Sequence, residues 1–165
     1  MRLWNWLMVT SFFVAAASYG ASSNEKLGDV MQMLADQSTG IAEVSRRPPA
    51  EVDARTFQRA LARARGAQWL LARLHEDAGE FGECGFKAEA LTPGKLVDAE
   101  PEAVEALLAQ YREALGIAAA KFAEAEAALK TQSETDPMER DFTELKKAVR
   151  DIALAMAAGH RIFKP

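Results

Sequence analysis

The sequence predicts an all-α protein, an antiparallel up-down-up-down four-helix bundle, on three observations. Alanine, leucine, glutamate, lysine and arginine dominate while β-branched residues are sparse, a mixture that loses little rotamer freedom in a helix. Apolar residues recur at three- and four-residue steps in four separate stretches. Proline and glycine clusters divide those stretches from one another. With 165 residues, 49% hydrophobic and 27% charged, the chain suits one domain around one buried core.

Residues 1–21 stand apart from this pattern. Arg2 is followed by an apolar run from Leu3 to Ala17 and then by Ser18-Tyr19-Gly20-Ala21, the layout of a secretory signal peptide with cleavage expected near residues 20–22. The apolar run is shorter than the ~20 residues of a spanning helix. A periplasmic chain without a membrane span is therefore expected, with residues 22–165 forming the bundle. That remainder holds one cysteine, Cys84, so no internal disulfide can form. Stability must come from packing or from a bound ligand.

The first helix is expected from about Asn24 to Ser45, with Leu27, Val30, Met31, Leu34, Gln37, Ile41 and Val44 on one face. Pro48-Pro49 ends it. A second helix is expected from near Ala50 to about Asp77, carrying Val52, Phe57, Leu61, Ala64, Gln68, Leu71, Leu74 and His75. Gly79, Gly82 and Gly85 then open the one long connection, which runs to Ala99.

From Glu100-Pro101 the third helix is expected to reach Thr131, with Pro101 in its first turn and Val104, Leu107, Leu108, Tyr111, Leu115, Ala118, Phe122, Ala125 and Leu129 inward. Asp136 is expected to cap the fourth helix and Pro137 to begin it. Its inward residues are Phe142, Leu145, Val149, Ile152, Leu154, Met156 and His160. The two short connections require antiparallel neighbours. In an up-down-up-down order Met31, His75, Leu107, Tyr111 and His160 all come from segments at the same end.

The net charge of −4 and pI near 5.3 argue against a dedicated nucleic-acid binder, which needs a basic face to displace counterions. Arginines do cluster locally at Arg46, Arg47, Arg55, Arg59, Arg63, Arg65 and Arg73. The bland reading is a solvated helix face; the sharper one is a docking patch for an acidic redox partner. There is no glycine-rich phosphate loop, zinc-ligand spacing or serine, histidine and acid set. Glu124 and Glu126 lack the Glu-x-x-His repeats of di-iron bundles. No enzymatic activity is expected.

The segment Leu27-Gly28-Asp29-Val30-Met31-Gln32-Met33-Leu34 resembles the opening helix of the cytochrome b562 family, with leucines four residues before and three after a methionine. His160-Arg161-Ile162-Phe163 is similar to that family's closing motif. The run Leu91-Thr92-Pro93-Gly94-Lys95-Leu96-Val97-Asp98 resembles the segment before its third helix. The resemblance implies a b-type haem, iron protoporphyrin IX held non-covalently, with Met31 and His160 as axial ligands; Leu107 and Tyr111, placed at the same end by the helix order, are expected at the cofactor.

It further implies electron transfer with a redox protein; by position alone, Arg161 or Lys164 is expected near the propionates at the bundle end. A covalent attachment motif, Cys-x-x-Cys-His, is absent. On the residues alone, Met31 reads first as core filler and His160 first as a helix-end residue complementing the dipole. Met33, which the stripe turns away from the core, and His75 are competing ligands. A haem-free periplasmic bundle serving in binding or structure is the alternative reading.

Overall fold

The structure, a computed structural model, describes residues 27–77 and 100–163, and the side chains of these except 27–29, 77, 104, 107 and 159–163. Residues 1–21, expected to be a signal peptide, Cys84 and the segment Leu91–Asp98 lie outside the described residues. Those described form four α-helices and no strand: α1 Leu27–Ser45, α2 Ala54–Asp77, α3 Pro101–Glu134 and α4 Thr143–Phe163. The expected all-helical class is found. Each helix packs on its neighbours in the chain and α1 packs on α4, closing a ring.

Local chemistry sets the helix ends. At the end of α1 the Ser45 hydroxyl donates to the Ala42 carbonyl at 2.8 Å and the Arg47 N–H to the Val44 carbonyl at 3.1 Å. Pro48 is extended and Pro49 opens a single 3-10 turn, Pro49–Glu51. The second helix was expected to begin near Ala50; it begins at Ala54. The reason is Asp53, whose carboxylate accepts from Thr56 N–H at 2.6 Å while its carbonyl accepts from Phe57 N–H at 3.1 Å. The Thr56 bond holds the Asp53 carboxyl below its ordinary value.

Pro101 opens α3 as expected, and the helix runs three residues past Thr131 to Glu134. The start of α4 differs more. Asp136 and Pro137 form a turn, with Met138 N–H donating to the Asp136 side chain at 2.9 Å and Glu139 N–H to its carbonyl at 2.9 Å. The helix begins instead at Thr143, whose N–H and hydroxyl donate to Asp141 Oδ1 at 2.9 and 2.7 Å. Lys146 N–H then donates to the Phe142 carbonyl at 2.8 Å as a first helical bond. Of two aspartates able to cap, the one beside the buried Phe142 prevails, because that start carries the ring into the core.

Arg140 ties the two turns together. Its Nη1 donates to the Val52 carbonyl at 2.7 Å, its Nε to the Thr135 carbonyl at 3.1 Å, and its guanidinium lies 4.9 Å from the centre of the Phe57 ring. Phe57 meets Phe142 edge to face, centroids 6.0 Å apart. Phe122, Leu129 and Leu145 are fully buried in the same core.

The apolar stripes fold inward largely as their spacing predicts. Val30, Leu34, Ile41, Val44, Phe57, Leu71, Leu74, Tyr111, Leu115, Phe122, Leu129 and Ile152 are all buried. Ala60, Ala67 and Ala148 join them without having been expected, since a buried methyl resembles a surface alanine in sequence. Small side chains at such positions let helix axes approach closely. Leu154, expected inward, is 59% exposed. Two residues from buried Ile152, it sits about 200° round the helix.

Candidate functional site

Three described helices bring side chains to the candidate site. On α1, Met31 follows buried Val30 and precedes buried Leu34, and is itself half-buried against the core. Met33 is also half-buried against that core, where the sequence reading turned it away. A flexible thioether one step off the apolar stripe can lean back onto it. On α3, Leu108 is half-buried and Tyr111 buried. Desolvation pushes the Tyr111 phenol up to about 12.

On α4, Ile152 is buried and Ala155 and Met156 are half-buried against the core. His160 follows Met156 by four residues, in the last turn of α4. The side chains of Leu107 and His160 lie outside the described residues. His75, the competing histidine, is exposed in the last turn of α2.

Along α3 and α4 burial falls toward these residues. On α3, Phe122, Ala125 and Leu129 are 0% exposed, whereas Tyr111, Leu115 and Ala118 are each 7% exposed. On α4, Leu145 is fully buried near the start and Met156 only half-buried near the end. The bulky aromatic rings Phe57, Phe122 and Phe142 are the completely enclosed ones. Of the four seams in the ring, the one between α1 and α4 is the least extensive and that between α2 and α3 the most.

No family model, curated protein or solved structure matches the chain.

The chemistry of the site therefore rests on its residues. A large apolar plate needs apolar walls with room to part, a sulfur or nitrogen ligand on a rigid helix, and few competing charges. Met31, Leu108, Ala155 and Met156 are apolar, lie against the core without being sealed in it, and belong to α1, α3 and α4. Their chemistry is of the apolar kind that would line a haem. Among the described residues no group of three His, Cys, Asp or Glu side chains is placed to hold a metal ion. A haem iron needs no such cluster, because the porphyrin supplies four of its ligands. No described helix is long and apolar enough to cross a membrane.

Leu70 and Ala155, which no stripe predicted inward, also pack on the core beside the expected residues. Ala155 carried a signal, three residues after Ile152. Leu70 stood beside Leu71, where a one-residue step gave no means of telling which leucine turns inward.

Proposed function

We propose that the protein is a periplasmic b-type cytochrome, exported by the signal at residues 1–21 and cleaved near residues 20–22. It holds one non-covalent haem b between Met31 of α1 and His160 of α4 and passes electrons to a redox protein. The observation that carries this reading is the α1–α4 seam: the helices bearing the two proposed ligands form the least extensive contact in the ring. Met31 on one and Met156 on the other remain half-buried.

The proposed helix order is antiparallel, up-down-up-down. Its support on α1 and α2 is a reversed register, since Arg63 lies over Gly40 while Gly66 approaches Gln37. Moving three residues forward on α2 moves three back on α1. The eight residues between Ser45 and Ala54 and between Glu134 and Thr143 also suit direct reversals.

Haem iron held by a thioether and an imidazole has no open position, which suits outer-sphere electron transfer over substrate chemistry. The chain's own residues bind and exclude water. Val30, Leu34, Tyr111, Leu115 and Ile152 are buried in the core, and Met31 and Met156 are half-buried against it. The buried Tyr111 stays a neutral phenol at physiological pH, so it adds no charge there. No catalytic role is assigned to any residue.

The test is a visible spectrum of the protein purified from an export-competent host with haem available. A red protein with sharp α and β bands in the reduced state is expected, and acid-acetone should extract the pigment. A colourless protein that also fails to bind added haemin overturns the proposal and leaves a haem-free bundle.

A further inference from the structure

We propose that the outward face of α2 is a docking surface for the acidic face of a partner protein, an inference independent of haem binding. Residues 46–75 hold seven arginines against two carboxylates in a chain whose net charge is −4, so positive charge is concentrated on one segment. The buried residues Phe57, Ala60, Ala64, Ala67, Leu71 and Leu74 turn one side of α2 inward. On the opposite side Arg55, Arg59, Ala62, Trp69 and Arg73 are exposed in a row of three-, four- and seven-residue steps.

Among the described residues neither Arg55 nor Arg59 forms an ion pair; Arg59 feels Asp53 only through space. Arg63, at the edge of the row, donates to the Asp36 main-chain carbonyl at 3.0 Å, so its charge has no carboxylate in that bond. Trp69 is 48% exposed among these cations. Ala62 and Gly66 beside it leave the surface low. Tryptophan and arginine are the side chains most enriched where protein interfaces hold their binding energy.

The ends of the row select among polyanions. Arg55 and Arg73 are 18 positions apart, about 27 Å along the helix. Exposed Glu51 and Asp53 stand before the row and exposed Glu76 after it. A phosphate backbone continuing past either end would meet those carboxylates, whereas a compact acidic face fits between them. An anionic membrane needs several large apolar side chains to insert, and Trp69 is the one large apolar side chain exposed in the row.

The test uses the exported protein cleaved near residues 20–22, in which Trp69 is the sole tryptophan. The probe is a synthetic helical peptide with glutamates at four-residue steps, compared with its glutamine counterpart. The glutamate peptide is expected to shift Trp69 emission to the blue, with an affinity that falls as salt rises. Arg55→Glu with Arg59→Glu should weaken that binding about tenfold or more, while Arg150→Glu on α4 leaves it unchanged. The proposal is overturned by unchanged Trp69 emission, by equal weakening with Arg150→Glu, or by tighter binding to duplex DNA. Tighter binding to vesicles of phosphatidylserine and phosphatidylcholine overturns it too.

Discussion

The guanidinium of Arg63 lies across Gly40, in the space that a β-carbon at position 40 would occupy. From there its Nη1 donates to the Asp36 carbonyl at 3.0 Å, linking α2 to α1. Alanine at position 40 favours helix by about 1 kcal/mol over glycine. It also displaces an arginine whose hydrogen bond contributes about 0.5–1.5 kcal/mol. Gly40→Ala alone is therefore expected to change stability by less than ~1 kcal/mol. In an Arg63→Ala background the same change should stabilise. Urea unfolding of the four chains in this cycle measures the coupling, and strict additivity would show that the two positions do not compete.

Phe57 is held by two different contacts, the edge of Phe142 and the guanidinium of Arg140. Phe57→Ala should cost about 3–5 kcal/mol, the usual loss for a sealed aromatic. Arg140→Ala should cost less by itself, and much less once Phe57 has been removed. A double-mutant cycle followed by denaturant midpoints gives the difference. Equal costs in both backgrounds would place the role of Arg140 in its bonds to the Val52 and Thr135 carbonyls alone.

Tyr111 gives stability an alkaline limb. Its phenol ionises near 10 in the unfolded chain and at about 12 in the folded one, because burial disfavours the phenolate. The stabilisation is fully present below pH 10 and is lost as pH rises toward 12. The two-unit difference amounts to about 3 kcal/mol, and Tyr111→Phe should remove that part of the pH dependence. At the acid end Glu126 is held below its ordinary value, first by its hydrogen bond from Arg65 at 2.6 Å, and then by one from Gln68 at 2.8 Å. Its contribution is present above the unfolded value and fades as pH falls through the folded one. Arg65 is 64% exposed, so Glu126→Gln should flatten the acid limb by under ~1 kcal/mol. Melting temperatures across pH read out both limbs.

For the proposed haem site, His160→Ala should abolish stoichiometric binding, whereas Met31→Ala should leave haem bound with a higher-spin spectrum and a lowered potential. Imidazole holds ferric iron more firmly than a thioether does. Haemin titration and the reduced spectrum distinguish the two variants. If His75→Ala causes the loss and His160→Ala is silent, the ligand is on α2. Should Met33→Ala alone change the spin state, the thioether ligand is the neighbour of the one proposed.

Much of this protein is written into local sequence. Helix-favouring composition and amphipathic spacing predicted that the described chain is helical and where Ile41, Phe122 and Leu145 lie, because a residue's face follows from the 3.6-residue period, and proline's fixed φ predicted that Pro101 opens a helix. Competitions between equally good local choices needed the tertiary structure. Asp136 and Asp141 both cap well, and burial of Phe142 decided for the second. Met31 and Met33 both reach the core, and Leu154 does not, because contact with neighbouring helices selects among side chains that short-range rules leave equivalent. The least extensive seam, between α1 and α4, belongs wholly to this second kind. It joins residues about a hundred positions or more apart in the chain, and its closeness depends on how side chains from all four helices share one volume.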